Sequence, residues 1–198
     1  MKRLCVFCGS SAGAKPDYIH AAGLLGSLLA RKNITLVYGG ARVGIMGHLA
    51  KACLGAGGDV IGIIPRRLKD AGLAFTGLDK LYVVESMHER KAIMTEVSDG
   101  FIALPGGLGT VEEFFEVITW AQLGMHKKPC GLINVCGYFD RMMDFLSHAA
   151  EQKFLETGHY NMIQVDETPE GLLKKFESYQ APQLNKAEWV LRMTDSIS

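Results

Sequence analysis

Pro105-Gly106-Gly107-Leu108-Gly109-Thr110-Val111-Glu112-Glu113 sets three glycines at the point where an apolar run, Phe101-Ile102-Ala103-Leu104, gives way to a helical pattern. The run reads as a buried parallel strand, the Pro-Gly-Gly cluster stops it, and a helix is predicted from about Thr110. Glycines there let backbone N–H groups crowd towards a guest. The free N–H groups and positive dipole end of the new helix favour an anion, and a phosphate is expected. No Lys-Ser/Thr pair follows the glycines, so this is not a Walker A loop, and a single phosphate fits better than a polyphosphate with magnesium. Glu113, one turn in, is placed to reach past that phosphate. Thr110 to Glu113 also spells a capping box in which Glu113 bonds back to the start of its own helix, and local sequence leaves both readings open.

A second stretch, Met87-His88-Glu89-Arg90-Lys91, carries two adjacent cations in the first turns of a helix, where positive charge opposes the dipole. An anion nearby would compensate. Arg90 offers a planar fork for phosphate or carboxylate and Lys91 a point charge, against the plainer alternative of solvated surface. Ser86 and Glu89 read as a capping box. After the central loop, Glu113, Glu116 and Trp120 fall at i, i+3 and i+7, one helical face with two carboxylates and a flat ring. His126, Lys127 and Lys128 form a basic run that is either near a substrate or simply exposed. The histidines show no metal-ligand spacing, so no catalytic metal is expected.

These residues need elements to position them. Leu4 to Cys8 reads as the first strand, followed by the small-residue loop Gly9-Ser10-Ser11-Ala12-Gly13 and a helix opened by Pro16. Ile34 to Tyr38 is the second strand, leading through a third glycine-rich turn, Gly39 to Gly47, into a helix that stops near Gly55 to Gly58. Further strands are predicted at Val60 to Ile64, Leu81 to Val84, Phe101 to Leu104, Gly131 to Val135 and Met162 to Val165, with helices from about Tyr138 to Gln152 and Pro169 to Ser178. Pro65 to Asp79 has no clear periodicity and reads as a mobile flap over the site. Strands alternating with helices predict one Rossmann-like α/β domain over residues 1–180, a doubly wound parallel sheet, with a polar, loosely held tail at 181–198. Ligands bind beyond the carboxyl ends of such strands, so the three glycine loops and the Met87 to Lys91 segment should converge on one rim. The helix after the central loop is apolar over a broad arc, through Phe114, Phe115, Val117, Ile118 and Ala121, which predicts burial by the sheet and by a second subunit of a homodimer.

The 198 residues suffice for a single core burying about 70% of the surface an unfolded chain exposes. Net formal charge is zero, so nothing argues for nucleic acid or an anionic membrane, and a small-molecule partner is expected. The five cysteines are an odd number, and Cys5, Cys130 and Cys136 lie in or beside apolar runs, which suits reduced thiols and a cytoplasmic location. Strand alternation puts Cys5 and Cys8 on opposite faces, against a redox or metal pair. The amino-terminal apolar run is short and broken by Gly9, against a secretory signal, and no stretch is long enough to span a membrane.

Pro105 to Glu113 resembles the PGGxGTxxE signature of the LOG ("Lonely Guy") family of cytokinin riboside 5′-monophosphate phosphoribohydrolases, and Met87 to Lys91 resembles its MHxRK partner motif. Val6 to Ser11, Val37 to Gly40 and Ile118 to Gly124 are similar to further family segments, so the match runs from about Val6 to Asn134. The resemblance implies hydrolysis of the N-glycosidic bond of an adenosine-type nucleoside 5′-monophosphate, AMP or a cytokinin nucleotide, without a cofactor, giving free base and ribose 5-phosphate. It implies Arg90 and Glu113 as the catalytic pair, with Lys91, Gly106, Gly107, Leu108, Gly109, Thr110, Val111, Glu112 and Thr119 lining the substrate. One departure is Gly72, where many family members carry glutamate; Asp70 is the nearest substitute. Two other classes compete. A nucleotide carrier or sensor of the same fold would keep the glycines but has no use for an Arg-Glu pair. The lysine decarboxylase label borne by similar proteins would need a Schiff-base lysine and a partner for the pyridine nitrogen, and no arrangement nominates them.

Overall fold

The computed structural model describes residues 1–183, 186 and 189–191. Its frame is one parallel sheet of seven strands, β1 (Arg3–Phe7), β2 (Thr35–Tyr38), β3 (Val60–Pro65), β4 (Lys80–Val84), β5 (Gly100–Ala103), β6 (Cys130–Ile133) and β7 (Ile163–Asp166), in the order β4-β3-β2-β1-β5-β6-β7. The helices are α1 (Pro16–Arg31), α2 (Gly44–Gly55), α3 (Arg66–Asp70), α4 (Met87–Val97), α5 (Leu108–Gln122), α6 (Asp140–Glu151), α7 (Thr157–Tyr160) and α8 (Pro169–Glu177). Each predicted strand is present, its ends shifted by a residue or two.

Strand alternation sorts the core into two layers. Leu4, Val6 and Cys8 face α1, α2 and α8, whereas Cys5 and Phe7 face α4, α5 and α6. The two thiols of the Cys5-Val6-Phe7-Cys8 stretch therefore lie on opposite sides of the sheet, as the period of two requires. Because both faces are covered, the central strands are apolar throughout, with Phe101 and Ile102 wholly buried. Burying each such side chain contributes about 1.5–3 kcal/mol.

Some expectations are corrected. Residues 65–79 are not structureless: α3 occupies the first part, Gly72 turns the chain at φ +76°, and Arg42 Nε donates to the Gly72 carbonyl at 3.0 Å. An isolated bridge joins Ala41 to Ala74. Cys136 is exposed in a tight turn after β6, at φ +52°, and is not a core thiol. The helix α7 had no periodic signal because it is one turn long. Of the tail, residues 186 and 189–191 are helical and Lys186 donates to Gln122 at 3.3 Å; the rest of residues 184–198 lies outside the described residues. No helix among the described residues is long and apolar enough to cross a membrane.

Candidate active site

With all strands parallel, the loops after β1, β2, β3 and β5 meet at one end of the sheet. The chain runs outward in one direction from β1 to β4 and in the other from β5 to β7, so β1 and β5 flank the crossover point where such sheets bind ligands. A cleft of about 380 Å³ opens there, floored by Cys8, Gly9 and Gly39 and walled by Met46, Leu68, Leu73, Met87, Arg90 and the start of α5. The convergence expected of the glycine loops is what the fold delivers.

The helix N-termini at this rim differ in how their N–H groups are used. The start of α4 is capped by Ser86, whose Oγ accepts from Glu89 N at 3.1 Å, while the Glu89 carboxylate turns back to Glu85 N at 2.8 Å. The start of α2 is covered by chain: Ile45 N donates to the Ser11 carbonyl and Met46 N to that of Gly9. By contrast α5 begins at Leu108 behind Gly107 with no side-chain cap. Gly107 and Gly109 have no atom within 4 Å of where a Cβ would stand, so no neighbour in the chain requires them to be glycine. Their bareness keeps the approach to the uncapped N–H groups open, which suits an anion. Gly106 is different: its Cβ would meet Thr110 Oγ1 at 2.1 Å, and Tyr138, a residue not predicted for the site, donates its hydroxyl to the Gly106 carbonyl at 2.6 Å.

Because α5 starts at Leu108, Thr110 lies inside the helix, and the capping box does not form. Glu113 is buried and meets Arg90 instead, with Oε1 2.7 Å from Nη1. Arg90 Nε donates to the Ile63 carbonyl at 3.1 Å, anchoring the guanidinium over the ends of β2 and β3. An unpaired charge would be costly at this depth, so each group makes the other tolerable. Burial pushes the Glu113 carboxyl above the usual carboxylate range, and Arg90 pulls back part of that rise. Cys8, also on the floor, is kept as a thiol by burial and by the nearby Glu113.

Of the predicted residues, Arg90, Gly107, Leu108, Gly109, Thr110, Glu112 and Glu113 line the cleft. Gly106 lines an adjoining cavity of about 270 Å³ with Tyr18 and Tyr138. Lys91, Val111 and Thr119 stand outside the cleft. The Lys91 ammonium is held by Glu112 at 2.5 Å and Glu116 at 3.0 Å; burial works against its charge, but the two carboxylates prevail and raise its pKa. Trp120 is not at the site, because seven residues carry it about 10 Å down the axis of α5. His126 bonds the Val117 carbonyl and Lys128 that of Thr95, at the opposite end of the sheet, so the basic run is not near the cleft. Gly72 adopts a left-handed conformation that a glutamate would strain, and Asp70 does not line the cleft; that wall is apolar, through Leu68 and Leu73. No lysine lines the cleft among the described residues, and none of their His, Cys, Asp and Glu side chains cluster in a way that could hold a metal.

Comparison with known proteins places this geometry. The family described as "Possible lysine decarboxylase" matches residues 46–176. The chain is 47% identical over 178 residues to the cytokinin riboside 5′-monophosphate phosphoribohydrolase LOG1 of Arabidopsis thaliana, covering 90% of this chain and 84% of that one. It is 48% identical over 177 residues to LOG4 of the same plant, covering 89% and 82%. Among solved structures it is similar to a molybdenum cofactor binding protein from Rippkaea orientalis, with a TM-score of 0.67, 26% identity and coverage of 90% and 97%. The molybdenum cofactor carrier protein of Chlamydomonas reinhardtii, at 20% identity and a TM-score of 0.69 with coverage of 89% and 96%, shares the fold. With nearly half of its residues shared with the plant enzymes over most of both chains, and the Arg90 and Glu113 motifs joined in one cleft, this chain belongs to the LOG family of cytokinin riboside 5′-monophosphate phosphoribohydrolases.

Proposed function

We propose that the protein hydrolyses the N-glycosidic bond of adenosine-type nucleoside 5′-monophosphates, AMP or a cytokinin riboside 5′-monophosphate, releasing the base and ribose 5-phosphate. The observation that carries this is the buried Arg90–Glu113 pair standing one helical turn beyond an uncapped helix N-terminus in the same cleft. Phosphate held by the N–H groups of residues 108–110 supplies binding energy remote from the breaking bond and orients the sugar. As that bond lengthens, the ribose gains oxocarbenium character, which the Glu113 carboxylate stabilises. The same carboxylate takes a proton from the attacking water, whose oxygen bonds to the anomeric carbon; the base leaves with the bonding pair and takes a proton from solvent, to which Glu113 gives up its own. A carboxyl pushed up by burial is a better base near neutral pH than an ordinary one. Arg90, engaged by Ile63 and Glu113, holds that carboxylate in place. Lys91 acts through Glu112, which it fixes at the cleft's edge.

The proposal includes a homodimer. The sheet side of α5 buries Phe114, Val117, Ile118 and Ala121 within the chain, so their breadth alone does not call for a partner. The outward side carries Leu108, Glu112, Thr119 and Leu123, all exposed, with Phe115 half-buried. A second copy packed there would let Thr119 line its neighbour's cleft. Burial of Cys5, Cys8, Cys53 and Cys130 as free thiols supports a reducing, cytoplasmic setting. Incubation with AMP and with an isoprenoid-bearing riboside monophosphate, followed by chromatography for free base, tests the reading; release from neither, with tight nucleotide binding, would favour a carrier.

A further inference from the structure

Gly39 ends the loop side of β2 on the floor of the cleft, and its φ is not in the left-handed region, so its backbone does not call for glycine. Space does. A Cβ at Gly39 would stand 1.9 Å from Arg90 Nη2, 3.1 Å from Arg90 Cζ and 2.6 Å from Met46 Cε. The Met46 methyl ends a flexible chain and can swing aside. The guanidinium cannot, since Nε is fixed to the Ile63 carbonyl at 3.1 Å and Nη1 to Glu113 at 2.7 Å. We propose that Gly39 is a positioning residue for the Arg90–Glu113 pair: the room left by its missing side chain is the socket in which the guanidinium lies. A methyl group there forces Arg90 out of its bond with Glu113, so the carboxylate loses its orientation while the phosphate cradle on α5 stays intact.

The inference rests on the hydrolase reading for its kinetic arm and on packing alone for its thermal arm. Gly39→Ala is made in the parent, in Arg90→Lys, whose side chain lacks Nη2, and in Met46→Ala. In the parent background it should lower kcat for AMP about 100-fold, with KM changed less than about threefold since phosphate binding is untouched. The melting temperature should fall by about 3–10 °C. In the Arg90→Lys background the same change should cost less than about twofold in kcat and almost nothing in melting temperature, because coupled sites are not additive. If Gly39→Ala alone does not fold but the Arg90→Lys double variant does, the socket is supported more directly still. Equal losses in both backgrounds, or recovery through Met46→Ala and not through Arg90→Lys, would overturn it. A parent that releases no base from any nucleotide would refute the hydrolase reading, and the melting temperatures would then decide the socket alone.

Discussion

Arg90 and Glu113 lie 23 residues apart in the chain, on different helices, and their charged ends meet at 2.7 Å in a buried corner of the cleft. A charge buried there without its partner is costly, and the pair is positioned by elements distant in the sequence: β3 through its Ile63 carbonyl, and the early start of α5.

Replacement of Glu113 by alanine should leave the far-ultraviolet circular dichroism spectrum unchanged and reduce base release from AMP about 10³-fold, the range of a lost general base. Arg90 is then buried without its partner, so stability should fall by about 3 kcal/mol in urea unfolding. A variant that liberates adenine at the parent rate would refute the role assigned to this carboxylate.

The pH dependence has a definite sign. Glu113 must be ionised to accept a proton, and burial raises its pKa in the free protein, so kcat/KM should decline on the acid side at a pH above the usual glutamate range. Arg90 and Lys91 oppose that rise, whereas Glu112 adds to it. Arg90→Gln should therefore move the acid limb further up. The substrate phosphate ionises in a nearby range but is common to both enzymes, so the displacement between their profiles reports the protein.

The glycines at the start of α5 separate binding from folding. A Cβ at Gly109 would have no atom of the chain within 4 Å, so Gly109→Val starts into open space. It should leave the melting temperature within about 2 °C of the parent while raising KM for AMP about tenfold or more, a loss of about 1.4 kcal/mol. Inorganic phosphate should raise the parent's melting temperature and do so less in the variant. A Gly109→Val enzyme with unchanged KM would remove the phosphate from this loop.

The homodimer proposed through the outward face of α5 can be tested by one substitution. Leu123→Asp, at a residue 54% exposed, should not destabilise a monomer, but should convert a dimer to monomers in analytical ultracentrifugation. If Thr119 lines the neighbouring cleft, the same change lowers turnover; an unaltered sedimentation coefficient would count against this face.

Much of this was written locally in the chain. Alternating apolar runs and glycine breaks gave seven strands and their order along the sequence, and parallel pairing then forced the loops carrying Gly9, Gly39 and Gly107 to one end of the sheet, because every strand points the same way. Resemblance to the two family motifs nominated Arg90 and Glu113 as a pair. What sequence left open was whether Glu113 caps its own helix or faces a partner: that depended on α5 beginning at Leu108, which places Thr110 within the helix and turns Glu113 towards α4. The displacement of Trp120 from the site, the pinning of the Gly106 carbonyl by Tyr138, and the guanidinium resting where Gly39 has no side chain are likewise long-range. Local pattern records which face of an element is apolar; which atoms finally touch is set by how helices and strands pack across tens of residues, and only the folded chain contains that.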